Sequence, residues 1–80
     1  MRIYVTKDDI AHGIPCNSGK CPIALSLIRR FPKSFVTVGS TGVCIAESYH
    51  LPLPPVAVRF IQNFDSRPGK QKPFSFTLEV

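Results

Sequence analysis

Two stretches of this chain carry the same apolar stripe at the same spacing, and each opens on proline. Ile23, Ala24, Leu27, Ile28 and Phe31 recur at i, i+1, i+4, i+5 and i+8 after Cys21-Pro22. Val56, Ala57, Phe60, Ile61 and Phe64 repeat that spacing after Pro54-Pro55. The spacing is that of an amphipathic helix with one continuous buried face. Proline suits the first helical position, where a backbone N–H would have no helical partner, and Pro32 stops the first of the two helices. Eighty residues bury one core, so residues 1–80 read as a single domain.

The partner of both stripes is a sheet. Arg2-Ile-Tyr-Val5 is short, β-branched and aromatic, and reads as a strand. Phe74, Phe76, Leu78 and Val80 alternate with Ser75, Thr77 and Glu79, the pattern of a strand covered on one face. Ser34 to Val38 and Val43 to Tyr49 predict a hairpin joined by Gly39-Ser-Thr-Gly42. Thr6-Lys-Asp-Asp9 predicts a capping box that opens one helical turn, ended by His12-Gly13. The order is β-(turn)-α-β-β-α-β, an α+β class two-layer sandwich, for which the ferredoxin-like split βαβ arrangement is the best-known topology. Its expected core is Ile23, Leu27, Ile28, Phe31, Phe35, Ile45, Phe60, Ile61, Phe64, Phe74, Phe76 and Leu78.

An apolar content of 44% is that of a globular chain. No apolar run approaches the roughly 20 residues that span a bilayer. The start, Met-Arg-Ile-Tyr-Val-Thr-Lys-Asp-Asp, lacks the apolar region of a signal peptide. The expectation is a soluble, cytoplasmic protein with no membrane partner. Ten basic residues against five acidic ones leave a net charge of +5, which favours acidic partners.

Most chemical options converge on the loop from Cys16 to Cys21. Gly13, Gly19, Lys20 and Cys21 superficially follow a phosphate-binding loop. The spacing is one residue too long, and cysteine stands where the magnesium-binding hydroxyl belongs, so a nucleoside triphosphatase is not expected. A weaker anion site remains, at the free N–H groups of the Pro22 helix with Lys20 and Cys21 beside them. There, next to Lys20, the Cys21 thiol is expected to have a lowered pKa, and Cys16 with Cys21 could form a reversible disulfide in an exposed polar loop. Zinc would need two close ligand pairs. Only Cys16 and Cys21 form one, with His12, His50 and Cys44 dispersed and Cys44 read as a small core residue. No metal and no cofactor is therefore expected.

Two distant histidines and no nucleophile turn give no nucleophile–base pair, so no catalytic residue is assigned and a non-enzyme is expected. His12 is read as a helix-end residue and His50 as a loop residue. Binding is the alternative to chemistry. Arg29, Arg30 and Lys33 close the first helix, and Arg67, Lys70 and Lys72 populate the late loop. If they meet on one side, they form a basic stripe for a phosphate backbone or an acidic protein surface. The phenylalanines lie on core faces, leaving Tyr4 and Tyr49 as exposed rings.

Val5-Thr6…Asp9-Ile10…Gly13, Cys21-Pro-Ile-Ala-Leu25, Leu53-Pro54…Val58…Phe60-Ile61…Phe64-Asp65 and Pro73-Phe-Ser-Phe76 together resemble a group of short proteins encoded by bacteriophages and prophages. The resemblance spans nearly the whole chain and carries no site residues with it. It implies an accessory protein that binds a host macromolecule, such as a component of antiviral defence, in the manner of an anti-CRISPR-like inhibitor. That partner is a host protein or a protein–nucleic-acid complex. The alternatives are direct nucleic-acid binding and capture of a small anionic ligand such as a signalling nucleotide. Apolar residues on both faces of the Val43 to Tyr49 strand call for a second cover, either another chain or the Leu51-Pro-Leu-Pro-Pro55 segment, and a homodimer is the expectation.

Overall fold

The computed structural model describes residues 1–39, 41–46 and 49–78. Strand β1 (Arg2–Val5) turns Ile3 and Val5 inward and Arg2 and Tyr4 outward. Its antiparallel partner is β5 (Phe74–Thr77), with Ile3 opposite Phe76 and Val5 opposite Phe74. Met1 and Leu78 exchange backbone hydrogen bonds of 3.0 and 2.7 Å just beyond the strands.

Thr6 caps the short helix α1 (Lys7–His12) through the expected box: its hydroxyl accepts from Asp9 N–H at 3.2 Å, and Asp9 Oδ2 accepts from Thr6 N–H at 2.8 Å. Gly13 ends α1 with an ordinary negative φ. Its value is space, because a Cβ there would stand 2.6 Å from the Pro22 ring. Helix α2 (Pro22–Arg30) packs on α1, β1 and β2, with Ile23, Ala24 and Leu27 fully buried. Helix α3 (Pro55–Ser66) sinks Ala57, Phe60 and Phe64 into the same core and continues into a 3₁₀ turn (Pro68–Lys70). The Phe60 and Phe74 rings lie 4.6 Å apart, which ties α3 to β5.

The α+β class stands, but the ferredoxin-like topology does not. The strands form two separate antiparallel sheets, β1-β5 and β2-β3-β4, where β2 is Val36–Val38, β3 Gly42–Ile45 and β4 Tyr49–Pro52. The expected single strand from Val43 to Tyr49 is interrupted after Ile45. Ala46 takes a left-handed φ of 56°, and the chain returns as β4. With β2 on one side and β4 on the other, β3 has no edge left to join β1. His50, read as a loop residue, is therefore a strand residue. Pro52 is tolerated because it faces Gly42 on an edge strand, where no ladder N–H is required of it.

The expected core holds for Ile23, Leu27, Ile45, Phe60, Phe64, Phe76 and Leu78, while Ile28, Phe31, Ile61 and Phe74 are partly buried against it. Phe35 is a correction, at 78% exposed. Strand parity explains it. Val36 and Val38 point inward, so Phe35 and Thr37 fall on the opposite side.

Candidate binding groove

Along the free edge of β1, the strand and helix α2 enclose a groove of about 560 Å³ lined by Arg2, Ile3, Tyr4, Thr6, Ser26, Arg29 and Arg30. The exchange between Met1 and Leu78 sets the ladder phase, so Ile3 and Val5 occupy the hydrogen-bonded positions. The backbone groups of Arg2 and Tyr4 then face the other way, toward the groove.

Arg29 organises one wall. Its guanidinium donates to both carboxylate oxygens of Asp9 at 2.7 and 3.0 Å and to Tyr4 O at 3.1 Å. Asp9 is only 4% exposed. Burial alone would raise its carboxyl pKa, but the Arg29 guanidinium and the Thr6 N–H outweigh that and hold it below its ordinary value. Arg29 is thereby fixed in place with its charge largely balanced.

Arg2 and Arg30 are held more loosely, and by neutral partners: Arg2 Nη1 is 3.4 Å from Thr77 Oγ1, and Arg30 Nε is 3.5 Å from Met1 Sδ. The Tyr4 ring stands 65% exposed beside them. Ser26 is buried and donates its hydroxyl to Ile23 O at 2.7 Å. The groove presents two available positive charges, a fixed third guanidinium and an exposed aromatic ring. That equipment recognises carboxylates or phosphates.

Of the sequence candidates, Arg29 and Arg30 meet here. Lys33, Arg67, Lys70 and Lys72 lie on the turn after α2, the end of α3, the 3₁₀ turn and the segment before β5, and none borders the groove. Arg2 and Tyr4 were not among the candidates for a shared site, although their alternation with Ile3 and Val5 marks them as outward-facing.

The anion site at Lys20 and Cys21 is not open. Lys20 is exposed, but Cys21, Pro22, Ile23 and Ala24 are buried, and Cys21 Sγ already accepts from Ala24 N–H at 3.4 Å. The expected lowering of the Cys21 thiol is reversed. Burial pushes it up, and the Asp65 carboxylate adds to the rise. Cys16 is exposed at a left-handed φ of 58°, with its N–H donating to Asp65 Oδ1 at 2.9 Å. Both thiols are free. Cys44 is likewise no core residue. It is half-buried on the outer face of β3, and its thiol donates to Ala46 O at 3.1 Å. His12 behaves as expected, with Nδ1 2.9 Å from Asp8 O at the end of α1.

Among the described residues, no three His, Cys, Asp or Glu side chains gather around a point where a metal could sit. No described helix is long and apolar enough to cross a membrane. Comparison with protein families, with curated proteins and with solved structures finds no match to the chain.

Proposed function

We propose that this chain is a small non-enzymatic binding protein that docks an acidic surface of a host macromolecule through the β1/α2 groove. In the phage setting that its sequence suggests, the partner is a protein component of antiviral defence. The observation that carries this reading is the grouping of Arg2, Arg29 and Arg30 around the exposed Tyr4 ring. Arginine and tyrosine are the residues that most often anchor protein interfaces, and a guanidinium fixed by Asp9 loses little freedom on binding.

A protein partner is favoured over nucleic acid by charge and extent. Arg29 is already balanced by Asp9, and the lysines of the late loop do not extend the groove into a stripe that could follow several phosphates. The test is retention of purified protein on DNA and RNA at low and raised salt, alongside capture from host lysate. A discrete partner protein, captured by wild type and lost with Arg2→Glu/Arg30→Glu, supports the proposal. Salt-sensitive retention on nucleic acid of any sequence, or a nucleotide released on denaturation, replaces it with one of the two alternatives.

A further inference from the structure

The outer face of the three-stranded sheet brings together a thiol and an imidazole that are six positions apart in sequence. Cys44 on β3 lies directly opposite His50 on β4, and Thr37 of β2 lies opposite Cys44 on the other side. The phase of the β3/β4 ladder follows from Leu53 N–H, which donates to Thr41 O at 3.0 Å. Thr41 and Leu53 are thus a hydrogen-bonded pair, and Cys44 and His50, an odd number of positions along, are a non-hydrogen-bonded one. In such pairs the Cα atoms are only about 4.5 Å apart and the side chains are at their closest. Thr37, Cys44 and His50 line one open depression of about 560 Å³, whose remaining border includes Gly39, Thr41 and Gly42. His50 is exposed and Cys44 is half-buried.

We infer that Cys44 and His50 form half of a zinc site, completed by the same pair from a second copy of the chain across a two-fold axis. The chemistry sets the stoichiometry. A thiolate and an imidazole are the preferred zinc ligands, and a closed site takes four of them in a tetrahedron. Each chain supplies two here, and among the described residues no third ligand gathers near them. A two-fold axis through the depression doubles the pair to two sulfurs and two nitrogens, and such a surface is complementary to itself. Thr37, Gly39, Thr41 and Gly42 leave room beside the pair for a second sheet face, and the exposed Phe35 ring on the same side of the sheet offers that copy an apolar contact. On binding, each Cys44 thiol gives up its hydrogen bond to Ala46 O and releases its proton to solvent, so that two thiolates face the ion.

The test is titration of reduced, chelator-stripped protein with zinc, and with cobalt as a spectroscopic probe, followed by light scattering. One zinc per two chains is expected, with the mass rising from 8.9 kDa to near twice that value. Cobalt should show thiolate charge-transfer absorption and the strong visible bands of a tetrahedral ion. Cys44→Ser and His50→Ala should each abolish binding and the mass change without altering the circular dichroism, since neither side chain is in the core. Cys16→Ser should bind like wild type. Absence of binding overturns the inference. So does one zinc per chain with no change in mass, and so does binding that survives in both Cys44→Ser and His50→Ala.

Discussion

Asp9 and Arg29, twenty positions apart, form a bidentate ion pair in which the acidic side chain is 5% exposed and the basic side chain 52%. The same carboxylate closes the capping box of α1, and the same guanidinium reaches the backbone of β1 at Tyr4. One pair therefore joins α1, α2 and β1 and forms a wall of the groove.

The pair makes stability depend on acid in a definite direction. Asp9 in the folded chain titrates below its ordinary value of 3.8, so between the two values the unfolded chain binds more protons and stability rises with pH. Its contribution is complete above that ordinary value and is lost as pH falls through the folded one. Asp9→Asn should cost about 1–2 kcal/mol at neutral pH, mostly as cap and hydrogen-bond loss, because Arg29 can turn to water. Thermal unfolding from neutral pH down into the acid range should show a shallower decline for Asp9→Asn than for wild type. Parallel curves would contradict the assignment.

Core and surface phenylalanines should separate sharply. Phe60 is buried and packs its ring against both Phe64 and Phe74, so Phe60→Ala should cost about 3–5 kcal/mol, a large share of what a domain of this size has. Phe35→Ser should leave the melting temperature within experimental scatter, because that ring lies in solvent. Chemical denaturation of both variants checks the pair of expectations together.

What could be read from the residues was what is local. Thr6 and Asp9 are three positions apart and announce their capping box, and Pro22 and Pro55 announce their helices. Ala46 announces nothing. Alanine in a left-handed conformation has no sequence signature, so the break that creates β4, and with it the division into two sheets, was hidden. The groove was half legible: Arg29 and Arg30 follow from the end of α2, and the outward parity of Arg2 and Tyr4 from β1. Their meeting depends on how β1 packs against α2, which no spacing encodes. Cys21 misled for a related reason, because a helix start next to lysine reads as solvated until tertiary packing buries it.

The strained positions offer a gain. Cys16 and Ala46 hold left-handed φ values of 58° and 56° that cost a residue with a Cβ roughly 1–2 kcal/mol. Cys16→Gly and Ala46→Gly should each remove part of that strain and leave stability unchanged or improved by up to about 1 kcal/mol, after the flexibility glycine adds to the unfolded chain. A loss of more than that in urea unfolding would show that the side chain itself contributes.

The thiols should report burial directly. Under native conditions a thiol reagent should modify Cys16 first and Cys44 more slowly. Cys21, buried and with its thiol pushed up, should react only as fast as the chain opens. Mass spectrometry of peptides from timed samples distinguishes the three. Modification of Cys21 at the rate of Cys16 would contradict the burial of the α2 start.

The claim that the groove is a protein-docking surface is tested most directly by charge reversal within it. Arg2→Glu/Arg30→Glu and a control reversal at Lys70 and Lys72, which lie outside the groove, change the net charge equally. Both proteins should keep the wild-type melting temperature, since all four side chains are on the surface. Quantitative capture from host lysate should then lose the partner with the groove variant and keep it with the control. Equal loss with both variants would mean that net charge alone drives binding, and retention by the groove variant would place the partner elsewhere on the molecule.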